Sequence, residues 1–142
     1  MSNPIIYMNE GLQAWVKNLL GAQPPFGLSA RLFSNVFTPQ PTTKFANFVE
    51  PVSLTGYRPV ALAASSWNVS ADSGIANADY PNIIWNFPSY SGPVVSLVGW
   101  WICEPRRLLA VMAKLFPSPI LVPKQQSSLT MGFSLDASQF SG

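Results

Sequence analysis

Pro93–Phe116 reads PVVSLVGWWICEPRRLLAVMAKLF, the densest apolar run in a chain of 142 residues, interrupted only at Glu104-Pro105-Arg106-Arg107. Val94–Cys103 is β-branched and aromatic, which favours a strand. Alternation puts Val95, Leu97, Trp101 and Cys103 on one face and Val94, Val98, Trp100 and Ile102 on the other. A strand apolar on both faces must be covered twice, by its own core or by another chain. Leu108–Phe116 fits helical spacing, with Leu108, Val111, Met112, Leu115 and Phe116 on one stripe. The strand-rich flanks and the charged turn favour a hairpin instead, so a second strand is expected, ended by Pro117-Ser118-Pro119.

Working outward, Ile120–Val122 reads as an edge strand. Leu129–Leu135 alternates cleanly, with Leu129, Met131, Phe133 and Leu135 inward and Thr130, Gly132 and Ser134 outward. Upstream, Ile83–Phe87 sets Ile83, Trp85 and Phe87 against Ile84 and Asn86, between Pro81 and Pro88. Ala71–Asp79 is composed of small residues and reads as a loop. Leu28–Phe33, Val60–Ala63 and Trp67–Ser70 read as strands, and Asn35–Thr43, holding Pro39 and Pro41, reads as loop. Phe45, Phe48 and Val49 are available to cover the core.

The one expected helix is Asn9–Leu20, with Asn9 at the N-cap, Glu10 at the positive end of the dipole and Gly21 as the stop. Leu12, Trp15, Val16, Leu19 and Leu20 form a stripe expected to pack on the core. Residues 1–8 are an arm with an apolar patch, Ile5-Ile6-Tyr7, that docks either as a first strand or on a neighbouring subunit. Ala22–Gly27 is a linker. The fold class is therefore mainly β, a β-sandwich or jelly roll with one N-terminal amphipathic helix. It is one domain over residues 1–142, with the sandwich over residues 28–136.

Charged residues make up only 10% of the chain, against about 25% in ordinary soluble domains. Such a surface is expected to face another protein in part. The net charge of +2 comes from scattered cations, with Arg106-Arg107 the adjacent pair, so a nucleic-acid stripe is not expected. A signal peptide is not expected, because the first residues show no basic region followed by a long apolar core, and a transmembrane helix is not expected, because the run from Val94 is cut well short of about 20 residues. The single Cys103 excludes an internal disulfide framework and a multi-cysteine metal site.

Catalytic chemistry is thinly supplied. The chain has no histidine, so a Ser-His-Asp triad is excluded, and it has no G-x-S-x-G elbow and no Gly-rich phosphate loop. The carboxylates are Glu10, Glu50, Asp72, Asp79, Glu104 and Asp136, and none stands in a recognisable catalytic or ion-binding context. No catalytic, metal or cofactor-binding residue is assigned. Exposed aromatics among Trp67, Tyr80, Trp85, Tyr90, Trp100 and Trp101 could stack on sugars, although aromatics more often fill cores and interfaces.

The order of segments NEGLQAWVKNLLG, LSARLFSNVFTP, GYRPVAL, YPNIIWNF, VVSLVGWWI, LFPSPILVP and SSLTMGFSL resembles a family of small virion structural proteins of tailed bacteriophages. The likeness runs from about Asn9 to Leu135, and the chain departs from it at EPRRLLAVMAKLF, which is longer and more apolar. The resemblance implies a non-enzymatic particle component, a decoration (cement) protein on the capsid exterior, made in the bacterial host cytoplasm. Its partners would be the major capsid protein or other virion proteins. Self-association as a homo-oligomer is implied as well, a trimer at capsomer junctions. The contacts expected on this reading are Ile5, Ile6 and Tyr7 in the arm, Trp100 and Trp101 in the strand, and Arg106 and Arg107 at its turn. The competing expectation is a receptor- or glycan-binding fibre, neck or tail module.

Overall fold

The computed structural model describes residues 3–20, 27–72, 75–87, 94–122 and 128–136. The stop at Gly21, most of the 22–27 linker, and Pro88, Tyr90 and Pro93 lie outside these residues. The elements are β1 (Ile6–Tyr7), α1 (Asn9–Leu19), β2 (Leu28–Phe33), β3 (Val60–Leu62), β4 (Asn68–Asp72), β5 (Ile75–Asn86), β6 (Val95–Glu104), β7 (Leu109–Val122) and β8 (Ser128–Asp136). They form a five-stranded sheet, β1-β7-β6-β2-β3, and a three-stranded sheet, β4-β5-β8, with antiparallel pairing throughout.

The chain is mainly β with one helix, as its pattern predicts. The sheets share a core in which Leu32, Leu97, Trp100, Ile102 and Met112 of the larger sheet meet Trp85, Leu129 and Phe133 of the smaller. A second cluster lies on the opposite face of the larger sheet and joins Met8, Phe33, Phe48, Val98, Trp101, Cys103, Ala110 and Ala113. The doubly apolar strand β6 is thus covered on both faces by its own chain. On the second face Phe48 stacks on Trp101 at 4.3 Å between ring centroids, and Phe45 meets that indole edge-on. Val49, expected beside them, is exposed.

Strict alternation along β6 does not survive. Leu97, Trp100 and Ile102 share the inter-sheet core, whereas Val98, Trp101 and Cys103 face the second cluster. The switch falls at Gly99, where the register with β7 jumps from Leu97↔Ile120 to Gly99↔Leu115. Residues 116–119 of β7 therefore stand opposite Val98 alone, and the strand continues through Pro117-Ser118-Pro119 instead of ending there. Proline lacks the N–H that a regular ladder needs, and a bulge removes that demand. A Cβ on Gly99 would lie 2.7 Å from the Phe33 ring and against the Lys114 carbonyl, so only glycine permits this approach.

Two further expectations are corrected in the smaller sheet. The described parts of Ala71–Asp79 are strand and not loop: β4 and β5 pair from Asn68↔Asp79 to Asp72↔Ile75. Residues 68–71 are exposed, so backbone pairing rather than apolar alternation carries this hairpin, and the sequence had no pattern to display. Likewise β5 runs through Pro81, because Pro81 and Asn82 bulge opposite Gly132, between the pairs Tyr80↔Phe133 and Ile83↔Met131. The alternation of β8 holds, with Leu129 and Phe133 buried and Thr130, Gly132 and Ser134 exposed.

Candidate interaction surface

The N-terminal arm is a strand of its own sheet. Ile6 and Tyr7 pair with Ala113 and Met112. Ile5 and Tyr7 pack against the inter-sheet core and Ile6 against the second cluster. The Asn3 amide donates to the Leu115 and Phe116 carbonyls at 3.1 and 3.0 Å, covering the β7 edge beyond β1. These side chains are half-buried within their own subunit.

Helix α1 begins where β1 ends. Its first i→i−4 bond runs from the Leu12 N–H to the Met8 carbonyl at 3.1 Å, so Met8, not Asn9, occupies the cap position. The helix seats on β7 through small residues. Gly11 and Ala14 are buried, and a Cβ on Gly11 would come within 2.6 Å of the Ala110 oxygen and of the Val111 Cα. Glu10 pins the contact: its Oε2 accepts from the Ala110 N–H at 2.6 Å and from the Phe45 N–H at 3.4 Å, and Oε1 lies 3.7 Å from Lys44 Nζ.

This seating corrects the expected orientation of the helix. The narrow Gly11–Ala14 side lets backbone approach backbone, and Val16 and Leu20 are left exposed. Leu12 and Trp15 end half-buried, Val16 is 48% exposed and Leu20 is 78% exposed. Asn9, Leu12, Gln13, Val16 and Lys17 line a shallow, mostly apolar depression of about 370 Å³ on the outer side.

Beside the helix stands the tip of the β6–β7 hairpin. Glu104 is completely buried, and its two carboxylate oxygens accept from the backbone N–H groups of Arg106 and Arg107 at 2.8 Å each. Arg107 Nε lies 3.9 Å from the same carboxylate. The clamp holds the turn in a shape that places Leu108 at φ 56°, in the left-handed region, with its side chain 61% exposed. A second depression, lined by Glu10, Gln13, Ala14, Lys17, Arg107 and Leu109, joins the tip to the helix. Lys17 and Arg107 both line this depression, whereas Arg106 lines a separate one with Leu28, Ser29, Pro59 and Ala61.

Of the residues expected to make contacts, Trp100 and Trp101 are corrected. They are 7% and 1% exposed, on opposite faces of the sheet, and the Trp101 indole N–H donates to the Leu32 carbonyl at 3.3 Å. Their area goes into the two cores of this chain, leaving none to offer a partner. Arg106 is exposed and Arg107 partly exposed, as a surface role requires. The outward leucine and valine stripe was missed; the pair Gly11 and Ala14, three apart on a helix, was the available signal that the helix would seat on its small side.

The remaining polar chemistry is internal. Arg31 pairs with Glu50 at 2.8 Å and lies over the Phe45 and Trp101 rings, while the Tyr57 hydroxyl donates to Glu50. Burial, then the hydrogen bond and charge of Glu50, raise the Tyr57 phenol well above its ordinary range. Burial pushes the Cys103 thiol up to about 12, which leaves it protonated and inert at neutral pH. Among the described residues no group of three metal-ligating side chains converges, and no helix is long and apolar enough to cross a membrane. No protein-family model, no curated protein and no solved structure matches the chain.

Proposed function

We propose that this chain is a non-enzymatic structural protein of a tailed-bacteriophage particle, a decoration (cement) protein that binds the outer surface of the head and stabilises capsomer junctions. The observation that supports this reading is the helix segment whose apolar residues Val16 and Leu20 are exposed, next to a half-buried Leu12. A contiguous apolar face on a chain so poor in charge is the kind of surface that another protein covers. Cement acts by burying area across a junction, so that subunit contacts resist internal pressure. That work requires a rigid scaffold and a dry contact rather than a reactive group. The partners on this reading are the major capsid protein or other virion proteins, with a homotrimer matching threefold junctions.

The glycan-binding alternative is weaker on one specific point. Among the described residues every tryptophan is buried or half-buried, and Trp67 is engaged edge-on with Tyr80. A sugar platform needs a ring face open to solvent.

Two measurements test the proposal. Light scattering on the purified chain gives its oligomeric state, and co-sedimentation with heads stripped of accessory proteins gives saturation and copy number. Saturable binding to heads, by a trimer, is the expected result. A monomer that ignores heads and binds host cells or glycans would overturn it.

A further inference from the structure

We infer that this chain self-associates head to tail, with the outer side of α1 in one copy seated against the β4–β5 end of the smaller sheet in the next. This inference rests on the homo-oligomer of the proposed function and names the contact that builds it.

The two surfaces lie on opposite sides of the molecule. The smaller sheet covers one face of the larger sheet across the inter-sheet core. The start of α1 is bound to the segment that covers the other face. There the Asn9 N–H donates to the Pro41 carbonyl at 2.8 Å, and the Glu10 carboxylate accepts from the N–H of Phe45, a residue packed on the second cluster. Helix and smaller sheet can therefore meet only between copies.

Charge divides between the same two layers. Of the six carboxylates, Glu10, Glu50 and Glu104 are held inside their own subunit, by the N–H groups of Ala110 and Phe45, by Arg31 and Tyr57, and by the hairpin-tip N–H groups. The other three are aspartates, one on each strand of the smaller sheet: Asp72 ends β4, Asp79 lies in β5 and Asp136 ends β8. Asp72 stands opposite Ile75 and Asp136 opposite Asn77, so register gathers the three within about 14 Å along β5. Asp79 is exposed, and none of the eight Lys and Arg residues lies on these strands. Lys17, on α1, is exposed and borders both helix depressions, the apolar one with Leu12 and Val16 and the one it shares with Arg107.

The apolar parts match as well. Val16 is 48% exposed on the helix, and Val69 is 71% exposed on edge strand β4, at the acidic end. An apolar patch bordered by a cation and an apolar patch among carboxylates are thus present in every copy, in equal number. A different virion protein would explain one of these surfaces and leave the other unexplained, whereas a second copy explains both. A contact between two unlike surfaces on opposite sides has no two-fold axis, so it closes into a ring or continues as a filament. Closure after three copies is the homotrimer.

The test is sedimentation velocity of the full chain at two salt concentrations, for wild type, Lys17→Glu, Asp79→Lys and the double variant. Both positions are exposed, so melting temperatures should stay at the wild-type value. Each single variant is expected to weaken self-association about tenfold, because like charges then face each other, and the double variant to recover it to within about threefold of wild type. Asp79→Asn keeps an acceptor for the Ser134 hydroxyl and should show a smaller loss of the same sign. Added salt should weaken the wild-type assembly. A monomeric wild type, self-association unchanged in either single variant, or no recovery in the double variant would overturn the inference. Co-sedimentation with stripped heads and with phosphatidylglycerol–phosphatidylcholine vesicles separates the remaining occupants. A wild-type monomer that saturates heads, with binding lost in Lys17→Glu, would give the helix to a capsid protein, overturning the inference and leaving the cement reading standing. Vesicle binding lost in Lys17→Glu, without self-association, would overturn it in favour of an anionic lipid surface. An oligomer with the expected variant pattern that ignores heads would keep the inference and overturn the cement reading.

Discussion

Replacing Gly11 by alanine sets two effects of opposite sign against each other. In an exposed helix the change would stabilise by about 1 kcal/mol, because glycine pays more backbone entropy. Here the new methyl would meet the Ala110 oxygen and the Val111 Cα at 2.6 Å, where ordinary contact begins at 3.4 Å. Both atoms belong to the backbone of β7, which lies between β1 and β6 in the sheet, so the strand cannot yield as a side chain would. The helix must instead back away by roughly 0.8 Å, which strains a tightly fitted seat. That displacement stretches the 2.6 Å bond from the Ala110 N–H to Glu10. Overpacking costs about 1–3 kcal/mol and a weakened charge-assisted hydrogen bond about 1 kcal/mol more. The steric side wins, for a net loss of about 2 kcal/mol, or roughly 6 °C in melting temperature for a chain of this length. Urea unfolding followed by tryptophan fluorescence measures it, with Gln13→Ala on the exposed side as the control expected within about 0.5 kcal/mol of wild type. A Gly11→Ala protein as stable as wild type or more so would refute the close seating, and with it the outward orientation of the stripe.

Serine at both Val16 and Leu20 should change stability by less than about 1 kcal/mol, since both side chains are largely exposed, while weakening co-sedimentation with heads; a large fall in melting temperature would place the stripe in the core. Glu104→Ala takes the acceptor from two part-buried N–H donors and should cost about 2 kcal/mol, read as a lower urea midpoint, with the hairpin-tip amides losing hydrogen-exchange protection first. Stability should also fall in alkali. The Cys103 thiol, ordinarily near 9.0 and raised to about 12 in the fold, stays protonated where the unfolded chain ionises. The unfolded state then binds fewer protons, and ΔG of unfolding declines from about pH 9 upward, with Tyr57 adding to the decline above its ordinary range. A urea midpoint that stays level from pH 9 to 11, or a slope unchanged in Cys103→Ala, would contradict this.

Periodicity found the extent of β2, which is Leu28–Phe33 as expected, and the faces of β8, where Leu129 and Phe133 are buried. It failed where something other than one-sided burial sets the structure. The β4–β5 hairpin is held by pairing of small and polar residues, and prolines 81, 117 and 119 sit within bulged strands where sequence rules place a stop. The contacting face of a helix is decided by the closest permitted approach, so Gly11 outweighed the longer apolar stripe. For the candidate surface, Arg106 and Arg107 were legible because a charged turn between two apolar strands must be solvated. Leu108 was not, because a left-handed backbone leaves no mark on an ordinary leucine. Trp100 and Trp101 misled because identity alone does not tell a core aromatic from an interface one.

The fastening of the N-terminal segment also dictates an order of assembly during synthesis. Met8, Glu10 and the β1 residues all bind the stretch from Ala110 to Ala113, about a hundred residues later in the chain. As the polypeptide leaves the ribosome, the first strand and helix have no seat until that distant stretch emerges. Pairings of such long sequence separation form late and slowly. Through most of translation the nascent chain therefore carries an unanchored amphipathic helix, with its Glu10 staple open, and the closing of this clasp marks the point at which the larger sheet gains its last strand.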